Sequence, residues 1–254
     1  MLAPAIGARE RLIVALDLPT VEDARKMVEE LDGVVEFFKV GLALQLAPGV
    51  QNFVESLIRE GKKLFLDYKY YDIPQTLKKA VAQAAKLGVS FLTVHGSMKL
   101  MRGAVEGRGN SGLKLFAVTV LTSMDAADIA EMGYTQHSVE ELVLVRARKA
   151  LEAGCDGVIA SGQEAQRIKE ISKGNLLVVT PGIRPDGYPE DDQARKTTPR
   201  DAILAGADYL VVGRPITDAA DHRGEAEKIV KEMQSAFDLV AAIAEKEETV
   251  GRVG

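Results

Sequence analysis

Along the chain, short apolar runs alternate with longer stretches whose apolar positions recur at helical spacing. Eight runs read as strands: Arg11 to Asp17, Val35 to Gly41, Lys63 to Lys69, Ser90 to His95, Leu113 to Val120, Asp156 to Ser161, Leu176 to Pro181 and Asp208 to Gly213. Most are short and rich in Val, Leu and Ile, as strands covered on both faces are. The intervening stretches predict helices over Val21 to Leu31, Val50 to Glu60, Gln75 to Leu87, Lys99 to Gly107, Val139 to Ala153, Gln163 to Ser172, Arg200 to Ala205 and Glu225 to Lys246. Thr20 suits an N-cap and Gly61 a C′ position. Three helix exits share a pattern, Leu87-Gly88-Val89-Ser90, Ala153-Gly154-Cys155-Asp156 and Ala205-Gly206-Ala207-Asp208. Each puts a glycine where a helix stops before a strand, a repeat of roughly 30 residues, the size of a βα unit.

Eight such units in one chain predict a (β/α)8 barrel, read as a single domain over residues 1–254. A doubly wound open sheet is the alternative. It more often carries a glycine-rich turn after its first strand, whereas this strand ends Leu16-Asp17-Leu18-Pro19. No domain linker or low-complexity tract interrupts the pattern, and the polar tail from Glu245 is expected to fray.

Composition narrows the class. The 254 residues are long enough to bury a sizeable core. A formal net charge of −5 gives no electrostatic footprint for nucleic acid, so an anionic substrate has to be held by local groups. The single Cys155, ahead of an apolar run, reads as a buried structural thiol in a reducing compartment. No apolar stretch suits a signal peptide or approaches the ~20 residues of a membrane span. A cytoplasmic protein without membrane contact is expected.

Charge then changes the picture. The stretch Asp67-Tyr68-Lys69-Tyr70-Tyr71-Asp72-Ile73-Pro74-Gln75-Thr76 follows the apolar run Leu64-Phe65-Leu66. Alternation on a strand points Asp67 and Lys69 to one side, and Pro74 suits the first turn of a helix. In isolation this could be a solvated strand end with surface ion pairs. Barrel active sites, however, sit at the C-terminal strand ends, and those ends collect Asp17, Lys39, Asp67, Lys69, His95, Thr119 to Thr122, Arg184 and Arg214. Lys39 and Lys69 lie inside apolar runs, where an unpaired charge is costly, so they need carboxylates; Asp67 and Asp72 are the nearest in sequence. Gly213-Arg214 offers a backbone N–H and a guanidinium suited to phosphate, and Gly182 to Gln193 reads as a long loop. His95, His137 and His222 are too scattered to announce a metal site. His95 is the barrel-mouth histidine and reads as structural.

These residues resemble the orotidine 5′-monophosphate decarboxylase family. The family's Asp-x-Lys-x-x-Asp-Ile-Pro-x-Thr signature is met by Asp67, Lys69, Asp72, Ile73, Pro74 and Thr76. Ala15-Leu16-Asp17, Phe38-Lys39-Val40-Gly41, Leu121-Thr122-Ser123, Thr180-Pro181-Gly182-Ile183-Arg184, Asp192-Gln193 and Val212-Gly213-Arg214 match as well. Tyr71 and Gln75 depart from the residues the family often has there. The resemblance implies conversion of orotidine 5′-monophosphate to uridine 5′-monophosphate and CO2 with no cofactor and no metal. It implies that Lys69 donates a proton to C6 and that Asp67 lies beside the departing carboxylate. Lys39 and Asp17 would hold ribose hydroxyls, and Thr122 would contact the pyrimidine. Arg184, Gln193, Gly213 and Arg214 would serve the phosphate and lid closure. Asp72 and Thr76 would reach into a partner subunit's site, making the protein a homodimer.

Three other readings share some features. A Mg²⁺-dependent sugar-phosphate decarboxylase or aldolase of the same superfamily shares Asp-x-Lys-x-x-Asp, but tends to carry a carboxylate where this chain has Lys39. A Schiff-base aldolase would use Lys69 as an amine nucleophile, against the influence of flanking carboxylates. A non-catalytic nucleotide-binding protein leaves the alternating charges unexplained.

Overall fold

The computed structural model describes residues 7–189, 191 and 195–251, the side chains of 247–251 excepted. Eight parallel strands close into a barrel in sequence order: β1 Leu12–Ala15, β2 Phe37–Gly41, β3 Lys63–Tyr70, β4 Phe91–Val94, β5 Lys114–Val118, β6 Gly157–Ile159, β7 Leu177–Thr180 and β8 Tyr209–Val212. β1 closes the ring against β8, with Leu12 opposite Leu210. The (β/α)8 barrel read from the sequence is the observed fold, and the open-sheet alternative is excluded.

The helices start and stop where side chains satisfy their ends. Thr20 accepts from Asp23 N–H at 3.0 Å to open helix Val21–Glu30. Gly88 and Gly154 end helices Pro74–Leu87 and Val139–Ala153 with φ of 86° and 87°, which only glycine adopts readily. Four short helices, Ala8–Arg11, Leu42–Gln45, Ala126–Glu131 and Arg214–Thr217, were not foreshadowed, since one turn is too short to show a period. The last helix runs His222–Gly251. The tail therefore does not fray from Glu245; Glu245-Lys246-Glu247-Glu248 are good helix formers without a breaker. Among the described residues, no helix is long and apolar enough to cross a membrane.

Strand alternation divides the apolar side chains into two cores. Leu12, Val14, Phe38, Val40, Leu64, Leu66, Leu92 and Leu115 point outward and pack under the helices. Ile13, Phe37, Phe65, Phe91, Phe116, Val179, Tyr209 and Val211 fill the barrel. In layers built from alternate strands, β2, β4 and β8 contribute Phe37, Phe91 and Tyr209. Their ring centroids lie 4.8, 5.0 and 6.1 Å apart with edge-on geometry. Three aromatics occupy this layer, and β6 supplies Gly157. A Cβ there would lie 2.3 Å from Leu177 O and 2.5 Å from Phe116 Cε1. Phe116 in the layer above stacks 4.5 Å from Phe91. The result is a solid aromatic plug beneath the mouth.

Gly157→Ala should therefore cost about 1–3 kcal/mol of stability through overpacking. Denaturant midpoints of the two proteins measure it, and equal midpoints would contradict the close approach.

Candidate active site

The parallel register brings charges from three neighbouring strands together at the mouth. Ala15 pairs with Lys39, and Gly41 with Asp67. Asp17, two residues past Ala15, and Asp67 thus flank the Gly41 level, and Lys39, two residues below Gly41 on β2, extends its side chain up between them. Lys39 Nζ donates to Asp17 Oδ1 at 3.0 Å and Oδ2 at 3.1 Å, and lies 3.6 Å from Asp67 Oδ2. Lys69 Nζ donates to Asp67 Oδ1 at 3.0 Å. The order is carboxylate, ammonium, carboxylate, ammonium, with formal charges that cancel. Lys39 is only 6% exposed, so two carboxylates are what make its burial tolerable. Gly41 makes room for the pair: a Cβ there would stand 2.8 Å from Asp17 Oδ1 and 2.9 Å from Lys39 Nζ.

Lys69 reaches the mouth by a route that simple alternation does not describe. Leu66 pairs with Leu92 and Tyr70 with Val94, so three residues of β3 oppose Thr93 alone. This is a bulge, the device that re-aims side chains at barrel rims. Lys69 takes φ 49°, uncommon outside glycine. Thr93 holds the distortion in place: its Oγ1 accepts from Lys69 N–H at 2.9 Å and donates to Asp67 Oδ1 at 2.9 Å.

Burial alone would push the Asp67 carboxyl up. The Lys39 and Lys69 ammoniums, with hydrogen bonds from Lys69 and Thr93, outweigh it and hold Asp67 below the usual carboxylate range. His95 sits close by, its ring edge-on to Tyr71 at 5.8 Å. Burial lowers its pKa, and Arg146 and Lys69 push the same way, so its imidazole is neutral at neutral pH.

These groups face a cavity of about 700 Å³. Val118, Ile159 and Val211 make its floor on the opposite strands, so the mouth is charged on one half and apolar on the other. Arg184 and Arg214 line it toward β7 and β8. They converge on Asp191: Arg184 Nη2 lies 2.5 Å and Arg214 Nη2 3.3 Å from Asp191 Oδ2, and Lys196 Nζ 3.4 Å from Oδ1. Three cations thus share one carboxylate.

Of the residues singled out from sequence, Asp17, Lys39, Asp67, Lys69, Thr122, Arg184, Gly213 and Arg214 line this cavity. Asp72 and Thr76 do not: both are exposed, and Asp72 accepts from Ile73 N–H at 2.6 Å. Asp72 is therefore not the carboxylate that Lys69 meets within its own chain; that is Asp67, because the chain turns outward after the bulge. Gln193 lies outside the described residues. Thr93, Asp191 and Arg195 were missed, although a threonine inside Phe91-Leu92-Thr93-Val94 was a readable signal. Cys155 is buried, its thiol pushed up to about 12 by burial with Asp156 adding to it, so it is chemically inert. Among the described residues, no group of three His, Cys, Asp or Glu could hold a metal ion.

Fold and mouth together define a barrel enzyme with an electrostatic site at its C-terminal strand ends. The chain belongs to the orotidine 5′-phosphate decarboxylase / HUMPS family, whose model matches residues 10–229. An orotidine 5′-phosphate decarboxylase of Nitrobacter winogradskyi is 56% identical over 230 residues, spanning 91% of this chain and 95% of that protein. One from Rhodopseudomonas palustris strain BisA53 is 49% identical over 231 residues, spanning 91% and 97%. The crystal structure of orotidine 5′-phosphate decarboxylase from Lactobacillus acidophilus superposes with a TM-score of 0.77 at 37% identity, covering 88% of this chain and 99% of that one.

A carboxyl whose folded pKa is lowered contributes stability that is complete above the unfolded value near 4 and is lost as pH falls through the folded value. Asp67→Asn, which removes the carboxylate that Lys69 meets and one of the two beside Lys39, should thus cost about 3 kcal/mol at pH 7. Urea midpoints should show that gap closing below about pH 4; a gap of constant size would mean Asp67 is not ionised in the folded protein.

Proposed function

We propose that this chain is an orotidine 5′-phosphate decarboxylase, converting orotidine 5′-monophosphate to uridine 5′-monophosphate and CO2, a step of pyrimidine synthesis. Family membership and the curated relatives support the reaction. The observation that carries the reading on physical grounds is the alternating series Asp17, Lys39, Asp67, Lys69 facing one side of a ligand-sized cavity.

The chemistry needs such an array. Breaking the C6–carboxylate bond leaves its electron pair in an in-plane orbital at C6 that the ring carbonyls cannot delocalise. Lowering that barrier usefully asks for on the order of 20 kcal/mol. In this reading the Lys69 ammonium stabilises the carbanion and then passes its proton to C6, leaving a neutral amine that regains a proton from solvent. Asp67 lies beside the departing carboxylate and holds Lys69 in place. Lys39 and Asp17 take the ribose hydroxyls, and Thr122 the pyrimidine. Arg184, Arg214, Gly213 and Gln193 serve the phosphate, whose binding energy is available to the reacting centre. No step calls for a metal or cofactor. The Mg²⁺-dependent sugar-phosphate alternative gains nothing from a mouth where Lys39 occupies the second strand.

The same reading makes the enzyme a homodimer in which Asp72 and Thr76 complete the partner's site. Support comes from the rim. Tyr71 and Ile73, on either side of Asp72, are 69% and 64% exposed, and Leu42 and Leu46 on the neighbouring turn are 59% and 93% exposed. Large apolar side chains gathered around an exposed carboxylate suit a self-complementary interface.

Purified protein dialysed against a chelator should consume orotidine 5′-monophosphate, followed by its ultraviolet absorbance; no turnover would overturn the assignment. Lys69→Ala should lower turnover by many orders of magnitude in a protein with an unchanged circular dichroism spectrum. A rate within tenfold of the parent would remove Lys69 from the role of proton donor.

For the shared site, Lys69→Ala and Asp72→Asn chains should each be nearly inactive alone. Co-expressed, they form mixed dimers with one site carrying both defects and one intact. With random pairing, activity should recover to roughly a quarter of the parent's. Verified mixed dimers as inactive as either variant would show that Asp72 acts within its own chain.

A further inference from the structure

Arg195 is buried, and three of its bonds run to one short segment. Its Nη2 donates to Val120 O at 3.1 Å and Leu121 O at 2.9 Å, and its backbone N–H donates to Thr122 O at 3.2 Å. Three consecutive carbonyls, all from residues that line the cavity, are thus taken by a single arginine. Its Nη1 donates to the buried Glu164 Oε1 at 2.6 Å, and its own carbonyl accepts from Ser161 Oγ at 3.3 Å. The guanidinium is thereby fixed from the β6 side while its other edge grips the loop after β5.

The other end of this arrangement is the anion grip. Lys196, next in the chain, pairs with Asp191, which also holds Arg184 and Arg214. Thr197 O accepts from Arg184 N–H at 3.0 Å, and Ile183 and Thr197 form a parallel bridge. Residues 195–197 therefore touch the phosphate side through Arg184 and Asp191, and the Thr122 side through Arg195. A planar guanidinium can hold two carbonyls and a carboxylate at once; a lysine ammonium in that space lacks the fixed fork.

We propose that Arg195, oriented by Glu164, is a positioning residue that fixes the Thr122 loop relative to the phosphate grip. Holding the phosphate at Arg184 and Arg214 then sets where Thr122 meets the ring. The inference rests on the decarboxylase reading of the site. It gives Arg195 no contact with substrate.

The test compares kcat/KM for the nucleotide and for its phosphate-free nucleoside. Arg195→Lys should lower the nucleotide value at least fivefold more than the nucleoside value, a modest coupling for linked sites. In an Arg214→Ala background, where the phosphate is no longer gripped, the same substitution should lose that discrimination. If Arg195→Lys does not fold, Glu164→Gln, which keeps the shape and a neutral hydrogen bond, is read the same way. Equal losses on both substrates, in folded protein, would overturn the positioning role and leave Arg195 as a fold-supporting residue while the decarboxylase reading stands. A parent protein inactive on the nucleotide would overturn both.

Discussion

The site depends on Asp67 being held between two lysines by a closed barrel. Lys69 meets Asp67 within β3, two residues away, but Lys39 reaches Asp17 and Asp67 only because neighbouring strands bring them together. Closure fixes the register, and the register fixes the pairing. Asp17 at one end of the series is half exposed, and Lys69 at the other is about one-third exposed. The inner two charges satisfy each other, while the outer two are presented to the cavity. Asp67 engages one of the three N–H donors on Lys69, so an ammonium is anchored without being consumed.

What lies under the charges matters as much. The plug of Phe37, Phe91, Tyr209, Phe65 and Phe116 fills the barrel from wall to wall. Apolar packing beneath the charges lowers the local dielectric, where a charge aimed at a reacting atom acts most strongly. The apolar floor of Val118, Ile159 and Val211 extends that environment across the far half of the mouth. A flat heterocycle can lie on this half and meet the ion series along one edge. Gly157 and Gly41 serve the two levels in the same way: each omits a side chain so that larger neighbours can meet.

This division explains what could be read from the sequence. The strands were legible because buried parallel strands are continuous apolar runs, and Lys39 and Lys69 stood out as charges inside them. The bulge was not legible. A lysine at φ 49° is stabilised by Thr93 on another strand, and no local propensity favours it. Alternation nonetheless put Asp67 and Lys69 on one side, because the extra residues of the bulge leave both at the mouth. Proximity in sequence offers Asp72 to Lys69 as well, but within one chain the backbone carries it out to the rim, the place a role in a partner's site requires. Arg195 and Glu164 were invisible for a plainer reason: they lie 31 positions apart and sit in loop and helix contexts where charges are ordinarily solvated.

The side of the mouth toward β7 and β8, where the proposed reading seats the phosphate, is arranged differently from the ion series. There the Asp191 carboxylate is shared among Arg184, Lys196 and Arg214. Asp191 offsets the mutual repulsion of the cations and keeps long side chains ordered around one point. A phosphate placed among them competes with Asp191, which weakens binding. It also finds donors whose rotamer entropy has already been given up, which strengthens it. Because Lys196 adjoins Arg195, the same ordering extends along the backbone to the three carbonyls before the cavity. The two ends of the site are thus joined by buried polar contacts rather than by packing alone, and such contacts tolerate little displacement before a donor is left unpaired.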